Sequence, residues 1–158
     1  MIYIAHRGNL EGPIPESENN PEYIDYALYY GFEAEVDLRV ANGLFYLGHD
    51  EPQYRIDLGW LEERKHKLWI HCKNAEALEQ CIDNDLHCFF HNTDDYTITS
   101  GGFVWAYPGK PRASERCILV MPELNHGTKF LKGYGYSGIC SDYIENIRKR
   151  ADAKKYRL

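Results

Sequence analysis

Short apolar runs broken by polar, turn-rich segments run the length of this chain, and they predict strands alternating with short helices. Ile2–His6 reads as a buried strand. Asn20 can cap a helix with Pro21 at its first position and Gly31 just past its end, which predicts a helix over 21–30. Glu33–Val40 follows as a strand, Asn42-Gly43 is a two-residue turn signal, and Leu44–Leu47 folds back as the second arm of a hairpin. Further apolar runs lie at Leu68–Cys72, His87–His91, Phe103–Tyr107, Cys117–Met121 and Ser137–Cys140, with a helix after Asn74 that ends near Ile82. Strands separated by helical segments predict a parallel α/β architecture. The gap between 107 and 117 is shorter than the dozen or so residues of a crossover, so some connections must be bare loops. No repeat, low-complexity tract or flexible linker divides the 158 residues, and the expectation is one domain over 1–158.

Composition narrows the class. With 44% hydrophobic and 14% aromatic residues the chain can build a core and is not of disordered composition. Its apolar runs are too short to span a bilayer, and Met1–Ala5 is followed at once by His6 and Arg7, which gives no signal-peptide h-region; a cytoplasmic location is expected. Five cysteines without a short repeating spacing fit free, buried thiols better than a disulfide framework. The net charge of −6 is uneven: Arg148–Leu158 holds six basic residues and one acid, and the other residues hold 12 basic and 23 acidic groups. An acidic body repels nucleic-acid backbones, so the basic tail Arg148–Arg157 reads as the solvated face of a last helix and no nucleic-acid partner is expected.

Chemistry concentrates at the predicted strand ends. Glu35 and Asp37 leave one face of a strand whose other face is Ala34, Val36 and Leu38. Two adjacent buried carboxylates repel, and a hard divalent cation such as Mg²⁺ or Ca²⁺ would relieve the repulsion; an edge strand with two solvated acids is the plain alternative. His71 and Lys73 repeat the geometry, an imidazole that could complete a metal site and a cation suited to an anionic substrate. His6 ends the first strand, and His49-Asp50 ends the hairpin. A two-residue loop at 42–43 pairs residue 49 with Val36. Strict alternation then puts Asp50 on the face of the acids, and a bulge at Gly48 would put His49 there instead. A zinc reading of Cys72, Cys81, His87, Cys88 and His91 lacks a Cys-x₂₋₄-Cys pair and draws ligands from opposite strand faces. The polar segment Asp94–Gly102 and the run Tyr107-Pro108-Gly109-Lys110 read as turns that could border a pocket, with Trp105 and Tyr107 as candidates to stack on a sugar or glycerol unit.

His6-Arg7-Gly8, Glu18-Asn19, Gly31-Phe32-Glu33-Ala34-Glu35-Val36-Asp37 and His49-Asp50 occur in one order over 45 residues. This stretch resembles the glycerophosphodiester phosphodiesterase family. The likeness continues more weakly through Ile70-His71-Cys72-Lys73 and Gly138–Tyr143, and the middle, Phe89–Glu123, matches poorly. The resemblance implies a (β/α)₈-type barrel and a metal-dependent phosphoric diester hydrolase acting on a small glycerophosphodiester-like or glycan-linked phosphodiester. It implies His6 and His49 as acid and base, Arg7 and Lys73 on phosphate oxygens, and Glu35 and Asp37 as metal ligands. His71 stands where the family has a third carboxylate. The imidazole admits Mn²⁺ or Zn²⁺ beside Mg²⁺ or Ca²⁺, and a site so altered could also bind a phosphorylated sugar or glycerol ligand without cleaving it. A full barrel takes about 250 residues, so the expectation is a compact one with several outer helices between Cys88 and Ser137 shortened or missing.

Overall fold

The computed structural model describes residues 1–124 and 135–155. Among these residues ten strands form one mixed, curled sheet. In chain order they are β1 (Ile2–His6), β2 (Glu33–Ala41), β3 (Leu44–Leu47), β4 (Tyr54–Ile56), β5 (Leu68–Cys72), β6 (Cys88–Phe89), β7 (Tyr96–Ile98), β8 (Val104–Ala106), β9 (Cys117–Val120) and β10 (Gly138–Ser141). Parallel pairing runs β6-β5-β2-β1-β10-β9-β8, while β3 and β4 extend the far end of β2 antiparallel and β7 pairs antiparallel with β8.

Among the described residues four short α-helices accompany them: α1 (Pro21–Tyr29), α2 (Leu58–Arg64), α3 (Ala75–Asp83) and α4 (Ile144–Lys155). Side-chain caps explain where three of them begin. Asn20 accepts from Glu22 N at 2.9 Å, Asp57 from Trp60 N at 2.8 Å and Asn74 from Ala77 N at 3.0 Å. Asn74 also donates to Val40 O at 2.7 Å, which fastens the start of α3 to the end of β2.

The expected (β/α)₈-type (TIM) barrel is not what this chain forms. The structure is a curled half-barrel: among the described residues only four α-helices lie outside the sheet, the antiparallel strands β3, β4 and β7 extend it, and no ladder joins β6 to β8. The physical reason lies in the connections. Ten residues separate β8 from β9, too few for a crossover helix, and between Cys88 and Ser137 the described residues contain a single 3₁₀ turn, Pro122–Leu124, and no α-helix. Two strands, β4 and β7, and the helix α2 went unread in the sequence. The segment Asp94–Gly102, expected as a turn region, contains β7, and Lys110 Nζ closes on Asp95 at 2.7 Å. Of the basic tail, α4 carries residues as far as Lys155, with Arg148 stacked 3.7 Å over the Phe32 ring; residues 156–157 of the expected helical face lie outside the described residues. Among the described residues no helix is long and apolar enough to cross a membrane.

Two apolar layers sandwich the sheet. Ala34, Val36, Leu38, Ile70 and Cys72 face outward onto Ile24, Leu61, Ala77 and Cys81, whereas Ile4, Trp69, Phe89, Trp105, Ile118 and Cys140 fill the inside of the curl. Period-2 alternation therefore sends Glu35, Asp37 and His71 to the inner side, above an aromatic floor in which Phe89 and Trp105 lie 4.6 Å apart and Trp69 and Trp105 5.7 Å apart.

Candidate functional site

The first turn after β1 builds the site's wall. Arg7 and Gly8 both take positive φ, +52° and +89°, and a Cβ on Gly8 would meet Tyr23 Cδ1 at 2.8 Å. A left-handed arginine costs about 1–2 kcal/mol, and here it is held from both sides: Arg7 N donates to Glu35 O at 3.0 Å and Arg7 O accepts from Asn19 N at 3.1 Å. The turn folds the guanidinium back over β2, where Nη1 donates to Glu18 Oε2 at 3.0 Å and Nε lies 2.9 Å from Asp37 Oδ2.

Glu35, Asp37 and His71 are 2%, 0% and 8% exposed, and one ligand atom from each lies within 4.8 Å of the others. His71 Nδ1 is 3.2 Å from Asp37 Oδ1 and 3.7 Å from Glu35 Oε1; Lys73 Nζ is 3.7 Å from Asp37 Oδ1. Asn19 grips Asp37 twice, donating Nδ2 to Oδ2 at 3.0 Å and accepting from its N–H at 2.9 Å. Despite this crowd, Asp37 Oδ1 and His71 Nε2 are buried and have no hydrogen-bond partner among the described residues. His71 meets Oδ1 as an ion-pair neighbour out of line for a bond. Such atoms are rare in a folded interior and fit a cation's needs, as does the mixed oxygen and nitrogen donor set.

The three thiols Cys72, Cys81 and Cys88 form a second group able to hold a metal, on the outer face of the sheet. The two histidines of the five-residue zinc reading stay apart from it. His87 bonds Thr99 Oγ1 at 2.8 Å, and His91 bonds the Tyr107 hydroxyl at 2.7 Å. All five cysteines are free and buried.

His6 ends β1 beside Glu35, with Nε2 4.0 Å from Oε2. Its Nδ1–H donates to Asp142 Oδ1 at 2.7 Å, and Asn9 donates to the same oxygen at 2.8 Å and to Glu18 Oε1 at 2.9 Å. Asp142 is itself positioned from below, since Glu123 accepts from its N–H at 3.1 Å and from the Ser141 hydroxyl at 2.9 Å. A carboxylate that takes the Nδ1 proton leaves Nε2 as the atom that exchanges protons.

Charge balance sets the titrations. Burial opposes charge on His71, but Asp37 and Glu35 outweigh it and push the imidazole up to about 9. Burial likewise opposes ionisation of Asp37, and His71, Arg7 and Asn19 hold it well below the usual carboxylate range. His6 is raised in the same sense: burial lowers it, and the bond to Asp142 and the charge of Glu35 more than restore it. His91 goes the other way. It stacks on His71 with ring centroids 4.5 Å apart, and burial followed by the charges of His71 and Lys73 pushes it down to about 4.

These opposite shifts predict a stability maximum for the chelator-treated chain. Folded His71 holds its proton more tightly than the unfolded chain does, so its contribution is complete below about pH 6.5 and is lost as pH rises through about 9. Folded His91 resists protonation, so stability falls as pH drops from about 6.5 toward 4. Each side is worth on the order of 3 kcal/mol. Urea unfolding in chelator should therefore peak near pH 6.5, and a steady rise from pH 6.5 to 9 would contradict the His71 assignment.

Of the residues singled out in the sequence, His6, Arg7, Glu35, Asp37, His71 and Lys73 gather at one end of the curl. His49 sits at the rim. Its side chain is 40% exposed and its Nδ1 pairs with Asp50 at 2.8 Å. The hairpin register is as the Asn-Gly turn dictates, from Ala41 opposite Leu44 to Leu38 opposite Leu47. Gly48 then leaves the ladder at φ +149°, where a Cβ would lie 2.1 Å from Glu51 O, and its N–H donates to Asp37 O at 3.0 Å. Trp105 is 3% exposed in the floor and is closed to stacking on a ligand. Sequence reasoning assigned no role to Asn9, Glu18, Asn19, Glu123 or Asp142, and considered His91 only as a zinc ligand; polar residues within the Glu-Asn and Gly138–Tyr143 stretches are the available signal for Glu18, Asn19 and Asp142, and Asn9 directly follows His-Arg-Gly. No protein-family model, curated protein or solved structure matches the chain.

Proposed function

We propose that this chain is a metal-dependent phosphodiester hydrolase for a small glycerophosphodiester-like or glycan-linked diester, as its resemblance to the glycerophosphodiester phosphodiesterases implies. The observation that carries the reading is the convergence of Glu35, Asp37 and His71 beside a histidine whose other nitrogen is fixed by Asp142. Glu35, Asp37 and His71 would hold the cation, Mg²⁺ or Ca²⁺ from the two carboxylates, with Mn²⁺ or Zn²⁺ admitted by the imidazole. When bound, the cation supplies charge neutralisation at a phosphoryl oxygen. His6 moves a proton at Nε2, with its raised proton affinity suiting the acid that protonates the leaving oxygen. His49, at the rim with its Nδ1 on Asp50, serves as the partner base toward the attacking hydroxyl. Lys73 faces the phosphate; Arg7, shared between Glu18 and Asp37, holds Asp37 in place and offers the rest of its guanidinium to the same group.

A second reading rests on a specific observation. Arg7, His71 and Lys73 all lie on Asp37 and neutralise it without a cation, as suits a chain that binds a phosphorylated sugar or glycerol without turning it over. One experiment separates the two. A panel of diesters with each divalent cation, followed by ³¹P NMR, should show cation-dependent conversion to monoester or cyclic phosphate that stops with chelator. Thermal protection by glycerol phosphate with no turnover under any cation would leave the binding reading.

A further inference from the structure

On the far side of β5 from the proposed site, Cys72 meets Cys81 of α3 and Cys88 of β6. The Sγ atoms of Cys72 and Cys81 are 3.7 Å apart and all three sulfurs lie within 4.8 Å of one another. That separation is too long for a disulfide, whose sulfurs sit about 2.05 Å apart. It is close to the spacing of about 3.8 Å that tetrahedral thiolates 2.3 Å from a common centre would have.

Charge decides which centre fits. The three thiols are at most 1% exposed and sit in an apolar layer with Leu38, Ile70, Ala77 and Leu86, and among the described residues no fourth Cys, His, Asp or Glu joins the group. A divalent ion on three thiolates would leave one net negative charge in that layer, which is costly. A trivalent centre on three thiolates is neutral.

We propose that Cys72, Cys81 and Cys88 form a three-thiol site for a trivalent thiophilic metalloid of the arsenite class. The step is a condensation, As(OH)₃ + 3 RSH → As(SR)₃ + 3 H₂O. Three As–O bonds break and three As–S bonds form, each thiol proton leaves on a hydroxide as water, and arsenic remains trivalent, so no oxidant or reductant is needed. The sulfurs come from β5, α3 and β6, so one centre ties three consecutive elements together. This site is independent of the proposed hydrolase.

The test is to incubate the full, reduced chain with sodium arsenite and read intact mass under native conditions, arsenic-edge X-ray absorption and melting temperature. The expected result is one arsenic per chain replacing three hydrogens, three sulfur neighbours with no oxygen, and a raised melting temperature. Cys81→Ala and Cys88→Ala should each lose the three-sulfur signature, and Cys117→Ala should keep it. A two-sulfur, one-oxygen shell, no adduct, or an adduct that persists in the Cys81→Ala Cys88→Ala double variant would overturn the proposal. The wild-type absorption result decides alone if a cysteine variant fails to fold.

Discussion

Asp37→Ala should destabilise the metal-free chain by about 3–5 kcal/mol, the usual cost of removing one partner from a buried ionic network. Asp37 is fully buried, and Arg7 Nε at 2.9 Å, His71 Nδ1 at 3.2 Å and Lys73 Nζ at 3.7 Å all depend on it for compensation. The variant also strands the Asn19 amide N–H that donates to the Asp37 carboxylate, while the bond that Asn19 accepts from the backbone N–H of residue 37 survives. Arg7 feels the loss most, because its left-handed backbone is sustained by contacts that bring its guanidinium onto Asp37. Urea unfolding measures the cost and titration calorimetry the accompanying loss of cation binding. Glu35→Gln separates the two effects: Glu35 meets its charged partners only at longer range, 3.7 Å from His71 and 4.0 Å from His6, and a glutamine oxygen can still accept from Arg7 N, so cation binding should go while most of the stability stays. A loss under 1 kcal/mol in Asp37→Ala, with cation affinity unchanged, would mean that the network is not organised around this carboxylate.

What was legible in the sequence was local. Alternation of Ala34, Val36 and Leu38 with Glu35 and Asp37 assigned both faces of β2 correctly, because the strand is buried on both sides and a one-residue slip would place carboxylates against Ile24 and Leu61. Asn42 and Gly43, at φ +53° and +72°, form the tight turn that the dipeptide announces, and the register of β2 with β3 follows from it. Three-residue strands are another matter. Tyr54–Ile56 and Tyr96–Ile98 carry too few alternations to stand out from loop, and they form because an existing edge recruits them. The curl, and its failure to close into a full barrel, depends on pairing between strands far apart in the chain, such as β1 with β10, on which local periodicity is silent. The same distance hid the second half of the site. His6 finds Asp142 across 136 residues, and His91, the end of an apolar run in the sequence, reaches the site by stacking on His71 as a buried ring whose proton affinity is lowered.

His6→Gln should lower kcat for diester hydrolysis by about 10²–10⁴-fold, the usual contribution of a positioned general acid or base, or about 3–5 kcal/mol of transition-state stabilisation. Its Nε2 carries the proposed proton transfer, while its Nδ1–H is fixed by Asp142, which Asn9 and Glu123 hold in turn. Because His6 is outside the Glu35–Asp37–His71 group, cation affinity should be nearly unchanged, and KM should move far less than kcat. The sign of the pH effect follows from the acid role: His6 must be protonated to act, so wild-type kcat should fall as pH rises through its raised value above 6.5, and that alkaline limb should disappear in the variant. Asp142→Asn provides the companion measurement. It keeps the shape but no longer demands the Nδ1 proton, so kcat should drop by less than in His6→Gln and the alkaline limb should move to lower pH. A His6→Gln variant that keeps kcat within tenfold of wild type would remove His6 from the reaction and shift the search for the acid to His49.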